Sequence, residues 1–305
     1  MLVTGRQILN KAQKGNYGVA AFNTNNLEIT QAIIEAAKEL KSPVIIQTSE
    51  GAIAYAGLEY IFSIMKIAAK APVPVAIHLD HGKDLKIIKA CIDIGYTSVM
   101  IDGSSLKYQK NIEVTKKVVS MAHKKGVSVE AELGALAGIE DFVSVEAKDA
   151  TLTNPEQAVE FVKKTGCDYL AISIGTSHGL HKFTSEPKLD LNRLQQINKL
   201  VKIPLVLHGA SEVDKRMVKI AKKYGAKLKK ARGVNDALMK KCVKLGINKV
   251  NTDTDLRLAF DAGVREIIKT KPAVFDPRDI LGKAKEYMKE VAKERIIVLG
   301  SKNKA

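Results

Sequence analysis

Residues 74–82 read PVAIHLDHG, an apolar run through Val75, Ala76 and Ile77 that ends in His78, Asp80, His81 and a glycine. A short Val/Ile/Ala-rich run that stops at ionisable side chains rather than at a hairpin turn has the form of a buried parallel strand. Such strands are covered on both faces and continue through a crossover instead of a tight turn. Working outward from it, eight such runs appear: Gly18–Asn23, Pro43–Thr48, Val73–Leu79, Ser98–Ile101, Val127–Glu132, Tyr169–Ile174, Pro204–His208 and Ile247–Asn251. Helical spacing fills the intervals at Leu27–Leu40, Leu58–Lys70, Leu85–Ile94, Gln109–Lys124, Pro155–Thr165, Leu191–Leu200 and a pair across Asp214–Leu245. Two further helices follow, Asp255–Lys269 and a long one from Pro277 to Val298.

Eight β-α units with short loops and no low-complexity linker predict an α/β fold: one (β/α)8 TIM barrel over residues 1–305 with extra C-terminal helices. An open doubly wound sheet is the alternative. The barrel makes a sharp statement about function, because its strand C-termini converge on one mouth. What stands at those ends is Asn23, Ser49-Glu50, Asp80-His81, Asp102, Glu132, His178, His208, and Asn251 with Asp253. Every exit is polar or ionisable, so the mouth is the predicted active site.

Composition narrows the chemistry. The 305 residues are 46% hydrophobic, enough for a full core. No window approaches the roughly 20 apolar residues of a membrane span, and the N-terminus lacks a cleavable leader, so a cytoplasmic location is expected. Cys91, Cys167 and Cys242 are far apart and form no C-x-x-C pair; they read as small core residues. Forty-nine Lys and Arg against 33 Asp and Glu give a net charge of +16. The lysines are spread along helical segments, and the densest run, Lys222–Arg232, offers only Tyr224 for stacking, so no nucleic-acid partner is expected. A basic field does suit an anionic, phosphorylated small molecule.

Three of the six histidines, His81, His178 and His208, stand at strand ends. Three imidazoles plus one open position is the usual shape of a catalytic zinc site. Asp102 and Glu132 either orient those imidazoles or offer a second metal position. By strand alternation His78 shares the side of Asp80 and faces away from His81. His123 reads as surface, and His181 is assigned to no metal.

The ordered motifs HLDHG (78–82), MIDGS (100–104), EAELG (130–134), GTSHG (175–179), VLHGAS (206–211) and NKVNTDTDLR (248–257) resemble those of the class II fructose-bisphosphate and tagatose-bisphosphate aldolases. GVAAFN, QTSEGA and FDPR extend the resemblance over nearly the whole chain. It implies a reversible aldol cleavage on a TIM barrel, usually in a homodimer or homotetramer, with Zn2+ stabilising the enediolate. His81, His178 and His208 would then bind the catalytic zinc, and Asp102 and Glu132 the alternative position. Asp80 would be the acid/base residue at the C4 oxygen. Glu140, after EAELG, would exchange the proton on the dihydroxyacetone-phosphate carbon.

The resemblance places the dihydroxyacetone-phosphate end, with a monovalent cation (Na+ or K+), near Gly179, Gly209, Ala210, Ser211, Asn251, Asp253 and Thr254, and Asn23 joins the substrate-binding set. Ser49, Lys182 and Arg278 match positions for the second phosphate, and Arg257 resembles an arginine lent by a neighbouring subunit. Where the family often has HGGSG, this chain has HGASEV, with Ala210 and Glu212 replacing glycines. The substrate expectation is fructose 1,6-bisphosphate, with tagatose 1,6-bisphosphate as the epimeric alternative. A third reading is a basic scaffold or nucleic-acid-binding protein that kept the barrel without the metal. The complete His81, His178, His208 and Asp80 set argues against it.

Overall fold

The computed structural model describes residues 1–135, 137–140, 143–145, 151–178, 187–228 and 232–305. In chain order the strands are β1 (Val19–Asn23), β2 (Val44–Thr48), β3 (Val75–Leu79), β4 (Ser98–Ile101), β5 (Ser128–Leu133), β6 (Ala137–Glu140), β7 (Val143–Val145), β8 (Tyr169–Ile172), β9 (Ser177–His178), β10 (Leu205–Leu207) and β11 (Ile247–Thr252). The helices are α1 (Gly5–Gly15), α2 (Leu27–Glu39), α3 (Glu50–Ala56), α4 (Leu58–Ala68), α5 (Leu85–Ile94), α6 (Tyr108–His123), α7 (Pro155–Thr165), α8 (Leu191–Leu200), α9 (Lys215–Lys223), α10 (Asp236–Lys244), α11 (Thr254–Thr270) and α12 (Pro277–Leu299).

Strands β1, β2, β3, β4, β5, β8, β10 and β11 close a parallel barrel, with β1 pairing β11 through Ala21 opposite Asn251. All eight expected runs are barrel strands, and closure excludes the open sheet. Many helices begin after an Asn, Ser or Asp whose side chain accepts a backbone N–H from the helix's first turn: Asn26, Ser49, Asp84, Asn154, Asp190, Asp214, Asn235 and Asp276.

Two apolar layers hold the barrel. Outside, Phe22, Ile46, Ile77, Val99, Leu170 and Leu205 pack against the helices. Inside, Val19, Ala21, Ile45, Ala76, Tyr169, Ala171 and Val206 meet Ile8, Leu9 and Ala12 of α1, which plugs the N-terminal end. Two helices are additions to the sequence reading, α1 and the short α3. The first carried a signal, since Thr4 and Gln7 form a capping box, each side chain bonding the other's backbone N–H. Cys91, Cys167 and Cys242 are buried as expected, and burial pushes each thiol up to about 12. Among the described residues, no single helix is long and apolar enough to cross a membrane.

Candidate active site

The C-terminal mouth gathers most of the predicted residues. Asp80 is 1% exposed and sits between two carboxamides: Asn23 Nδ2 donates to its Oδ2 at 2.9 Å and Asn251 Nδ2 to its Oδ1 at 2.8 Å. Each amide is turned by a further donor. Gln47 Nε2 donates to Asn23 Oδ1 at 2.8 Å, and Lys249 Nζ to Asn251 Oδ1 at 2.7 Å. Both carboxylate oxygens of Asp80 thus serve as acceptors, and the two amides fix where they point.

His81 lies beside Asp80 despite strand alternation. Its φ of 49° puts the residue in the left-handed region, and the chain turns so that Asp80, His81 and His208 present donor atoms within 4.8 Å of one another. Facing away from His78 was the expectation from alternation, and that turn overrides it. Histidine is among the few non-glycine residues that tolerate this backbone.

The two imidazoles have defined tautomers, because a carboxylate only accepts. His81 Nδ1 donates to Asp102 Oδ2 at 3.0 Å, and His208 Nε2 donates to Glu130 Oε1 at 2.7 Å. The remaining nitrogens, His81 Nε2 and His208 Nδ1, face each other across 2.6 Å. Two ring nitrogens this close suit a shared proton or a bound cation, and Glu132 Oε2 approaches within 3.9 Å of His81 Nδ1 and 4.0 Å of His208 Nδ1. His81, Asp102 and Glu132 form a second set of converging donors. Two imidazoles with nearby carboxylates fit a borderline divalent ion such as zinc.

Burial would raise the Asp102 carboxyl, but hydrogen bonds from His81 and from Ser104 hold it well below the usual carboxylate range.

Beneath this layer lies a buried polar stratum that reading the exits alone missed. Glu130 and Lys249 are both fully buried and pair at 2.9 Å, while His78 Nε2 lies 3.4 Å from Glu130 and His78 Nδ1 2.6 Å from Ser98 Oγ. Burial first, then the Lys249 charge, lowers His78 well below its ordinary value, so this imidazole is neutral. A sequence signal existed. Gln47, His78, Glu130 and Lys249 each stand two residues before an exit residue, hence on the same inward face.

Gly209 has φ 62°, and a Cβ there would stand 2.6 Å from the Ser177 carbonyl oxygen, so only glycine lets the β10 exit cross the strand that carries His178. β9 in turn pairs with β6, Gly138 opposite His178, which brings the backbone strand bearing Glu140 alongside. The side chains of Glu140 and His178, together with Gly179 and Lys182, lie outside the described residues. Ala210 and Ser211 are buried at the β10 exit, and Asp253 and Thr254 open α11.

The predicted second-phosphate residues are less gathered. Ser49 Oγ caps α3 by accepting from Ala52 N–H. Arg257 pairs with Asp253 at 2.7 Å, facing a cleft of about 530 Å³ lined also by Asn25, Asn26 and Tyr55. Arg278 is largely exposed and pairs with Asp276 at the start of α12. His123, expected at the surface, is part-exposed and bonds Asp168 at 2.9 Å at the opposite end of the barrel.

The sequence model of the class II fructose-bisphosphate aldolases matches residues 3–304. The chain belongs to the class II fructose-bisphosphate aldolase family. It is 52% identical to the fructose-bisphosphate aldolase of Thermus caldophilus and 51% identical to that of Helicobacter pylori strain 26695, each over the full length of both chains. The crystal structure of the YdjI aldolase from Escherichia coli K12 superposes with a TM-score of 0.83 at 35% identity, covering all of both chains. Lyase chemistry on a TIM barrel is therefore the family property.

Proposed function

We propose that this chain reversibly cleaves fructose 1,6-bisphosphate to dihydroxyacetone phosphate and glyceraldehyde 3-phosphate, as its relatives' names indicate for them. The observation that carries the reading is Asp80, a carboxylate clamped by two amides within reach of the His81 and His208 nitrogens. His81 and His208, with His178, would hold the metal, and Asp102 and Glu132 the alternative position. When bound, the ion supplies Lewis-acid stabilisation of negative charge developing on the ketose oxygens.

The protein groups do the rest. Asp80 accepts the C4 hydroxyl proton as the C3–C4 bond breaks and returns it in synthesis. Asn23 and Asn251 keep that carboxylate aimed. Glu140 exchanges the proton at the dihydroxyacetone-phosphate carbon. The Gly209–Ser211 turn, Gly179 and the Asn251–Thr254 segment take one phosphate through backbone N–H groups and hydroxyls, beside a monovalent cation. Ser49, Lys182, Arg278 and Arg257 take the other, where the planar fork of arginine suits a phosphate. Zinc as the ion, a homo-oligomer and a cytoplasmic location belong to the same proposal.

The test follows triose-phosphate release from fructose 1,6-bisphosphate by purified protein before and after chelation, with zinc then restored and the tagatose epimer run in parallel. Activity that disappears with chelator and returns with zinc supports the reading; cleavage of the epimer alone replaces the substrate; no cleavage of either by metal-loaded protein sinks it.

A further inference from the structure

Glu212 directly follows Ser211 at the β10 exit, and it has a partner far along the chain. Arg295 of α12 donates to Glu212 Oε2 at 2.6 Å across 83 positions of sequence, and the same guanidinium reaches Asp236 Oδ1 at 2.7 Å. The Arg295 side chain is only 8% exposed. From the other side, the buried carboxylate of Asp255, in the first turn of α11, accepts three successive backbone N–H groups: Glu212 at 3.0 Å, Val213 at 2.7 Å and Asp214 at 3.1 Å. Val213 is held at φ 61°, a backbone state that β-branched residues rarely adopt. Such strain persists only where the surroundings over-determine the conformation.

We propose that Glu212 and Arg295, with Asp255, form a positioning clamp that fixes the Gly209–Ser211 turn for phosphate, so that the C-terminal helix sets substrate affinity from outside the active site. The inference rests on the aldolase reading above, in which that turn receives the dihydroxyacetone-phosphate end. Backbone N–H donors bind a phosphate well only when their directions are set beforehand. Glu212 directly follows Ser211, so an anchor at Glu212 fixes the plane of the Ser211–Glu212 peptide and limits the swing of the turn. Neither Glu212 nor Arg295 touches a reacting atom. The clamp therefore acts on a part of the substrate bound alike in ground and transition states, which moves KM and leaves kcat. Replacing the Glu212 side chain leaves Arg295 paired with Asp236, so the side-chain half of the clamp is lost without stranding a buried cation.

The experiment uses zinc-loaded full-length wild type, E212A, E212Q and R295K, with kcat and KM for fructose 1,6-bisphosphate and, separately, inorganic phosphate affinity by calorimetry. Expected for E212A and R295K are a KM raised about tenfold, phosphate binding weakened by a similar factor, and kcat within about twofold. E212Q, which still accepts a hydrogen bond from Arg295, recovers part of the loss. Should R295K fail to fold, E212A decides. Unchanged KM and phosphate affinity in folded, zinc-loaded E212A overturn the clamp even where the melting temperature drops, as does a wild type that binds no phosphate. A wild type that binds phosphate yet cleaves neither sugar removes the aldolase reading, and the phosphate arm still judges the clamp.

Discussion

Lys249 and Asp80 share no hydrogen bond, yet the ammonium of Lys249 decides which end of Asn251 faces Asp80. Lys249 Nζ donates to Asn251 Oδ1 at 2.7 Å, which leaves the amide nitrogen to donate to Asp80 Oδ1 at 2.8 Å. The same ammonium pairs with Glu130, whose other oxygen takes the His208 Nε2–H. One buried cation thus sets the face that Asn251 presents to the Asp80 carboxylate and, through Glu130, the ring nitrogen that His208 turns inward.

Lys249→Met removes that cation and leaves Glu130 as an uncompensated buried charge. A loss of about 3–5 kcal/mol of stability is expected, read as a lowered denaturation midpoint. The double variant Lys249→Met/Glu130→Gln regains much of the stability but not the turnover. Full activity in the double variant would show that the Asn251 orientation does not matter.

Glu130→Gln alone changes the acceptor that holds His208. Metal affinity falls roughly 10- to 100-fold, measurable by competition with a chromophoric chelator. An unaltered affinity would mean that the Glu130 contact does not set ligand strength.

Asp80→Asn keeps the shape of the site and abolishes the base. Bound metal stays near the wild-type amount, whereas kcat falls by about 10²–10⁴. His208→Ala gives the converse, with metal lost first. Near-normal turnover in Asp80→Asn would assign proton transfer to another group.

His78 supplies an acid-sensitivity. Its folded value lies well below 6.5 because it is buried and faces Lys249. Below about pH 6.5 the unfolded chain binds a proton at this position and the folded chain does not. Stability is therefore complete above that pH and declines as pH falls, by up to ~1.4 kcal/mol per pH unit for one proton. Denaturant midpoints between pH 7 and 5 should fall less steeply in His78→Gln; equal slopes would refute the assignment.

Gly209→Ala places a Cβ 2.6 Å from the Ser177 carbonyl oxygen at a φ of 62°. Strain of about 1–3 kcal/mol is expected, with weakened metal binding because His208 and the strand bearing His178 are pushed apart. Thermal melting with and without zinc reads both effects.

The barrel was legible because a parallel strand buried on both faces has to be a short apolar run, and each run ends at the barrel mouth. The exit residues Asn23, Asp80, Glu132, His208 and Asn251 could be found from that rule alone. Gln47, Glu130 and Lys249 escaped, and His78 was placed beside Asp80 without its partners, because an isolated polar residue within an apolar run has no partner visible in one dimension. Lys249 and Glu130 are acceptable in a core only as a pair, and they stand 119 residues apart, as 249 − 130.

Composition and strand period, which are local, determined the fold class and the mouth, and the ordered motifs named the family. Only the tertiary structure decided that His81 turns back toward Asp80, which way the two asparagine amides face, and that Arg295 reaches Glu212. Each of those outcomes is fixed by a backbone angle or a hydrogen-bond partner contributed by a distant segment, and sequence spacing carries no information about either.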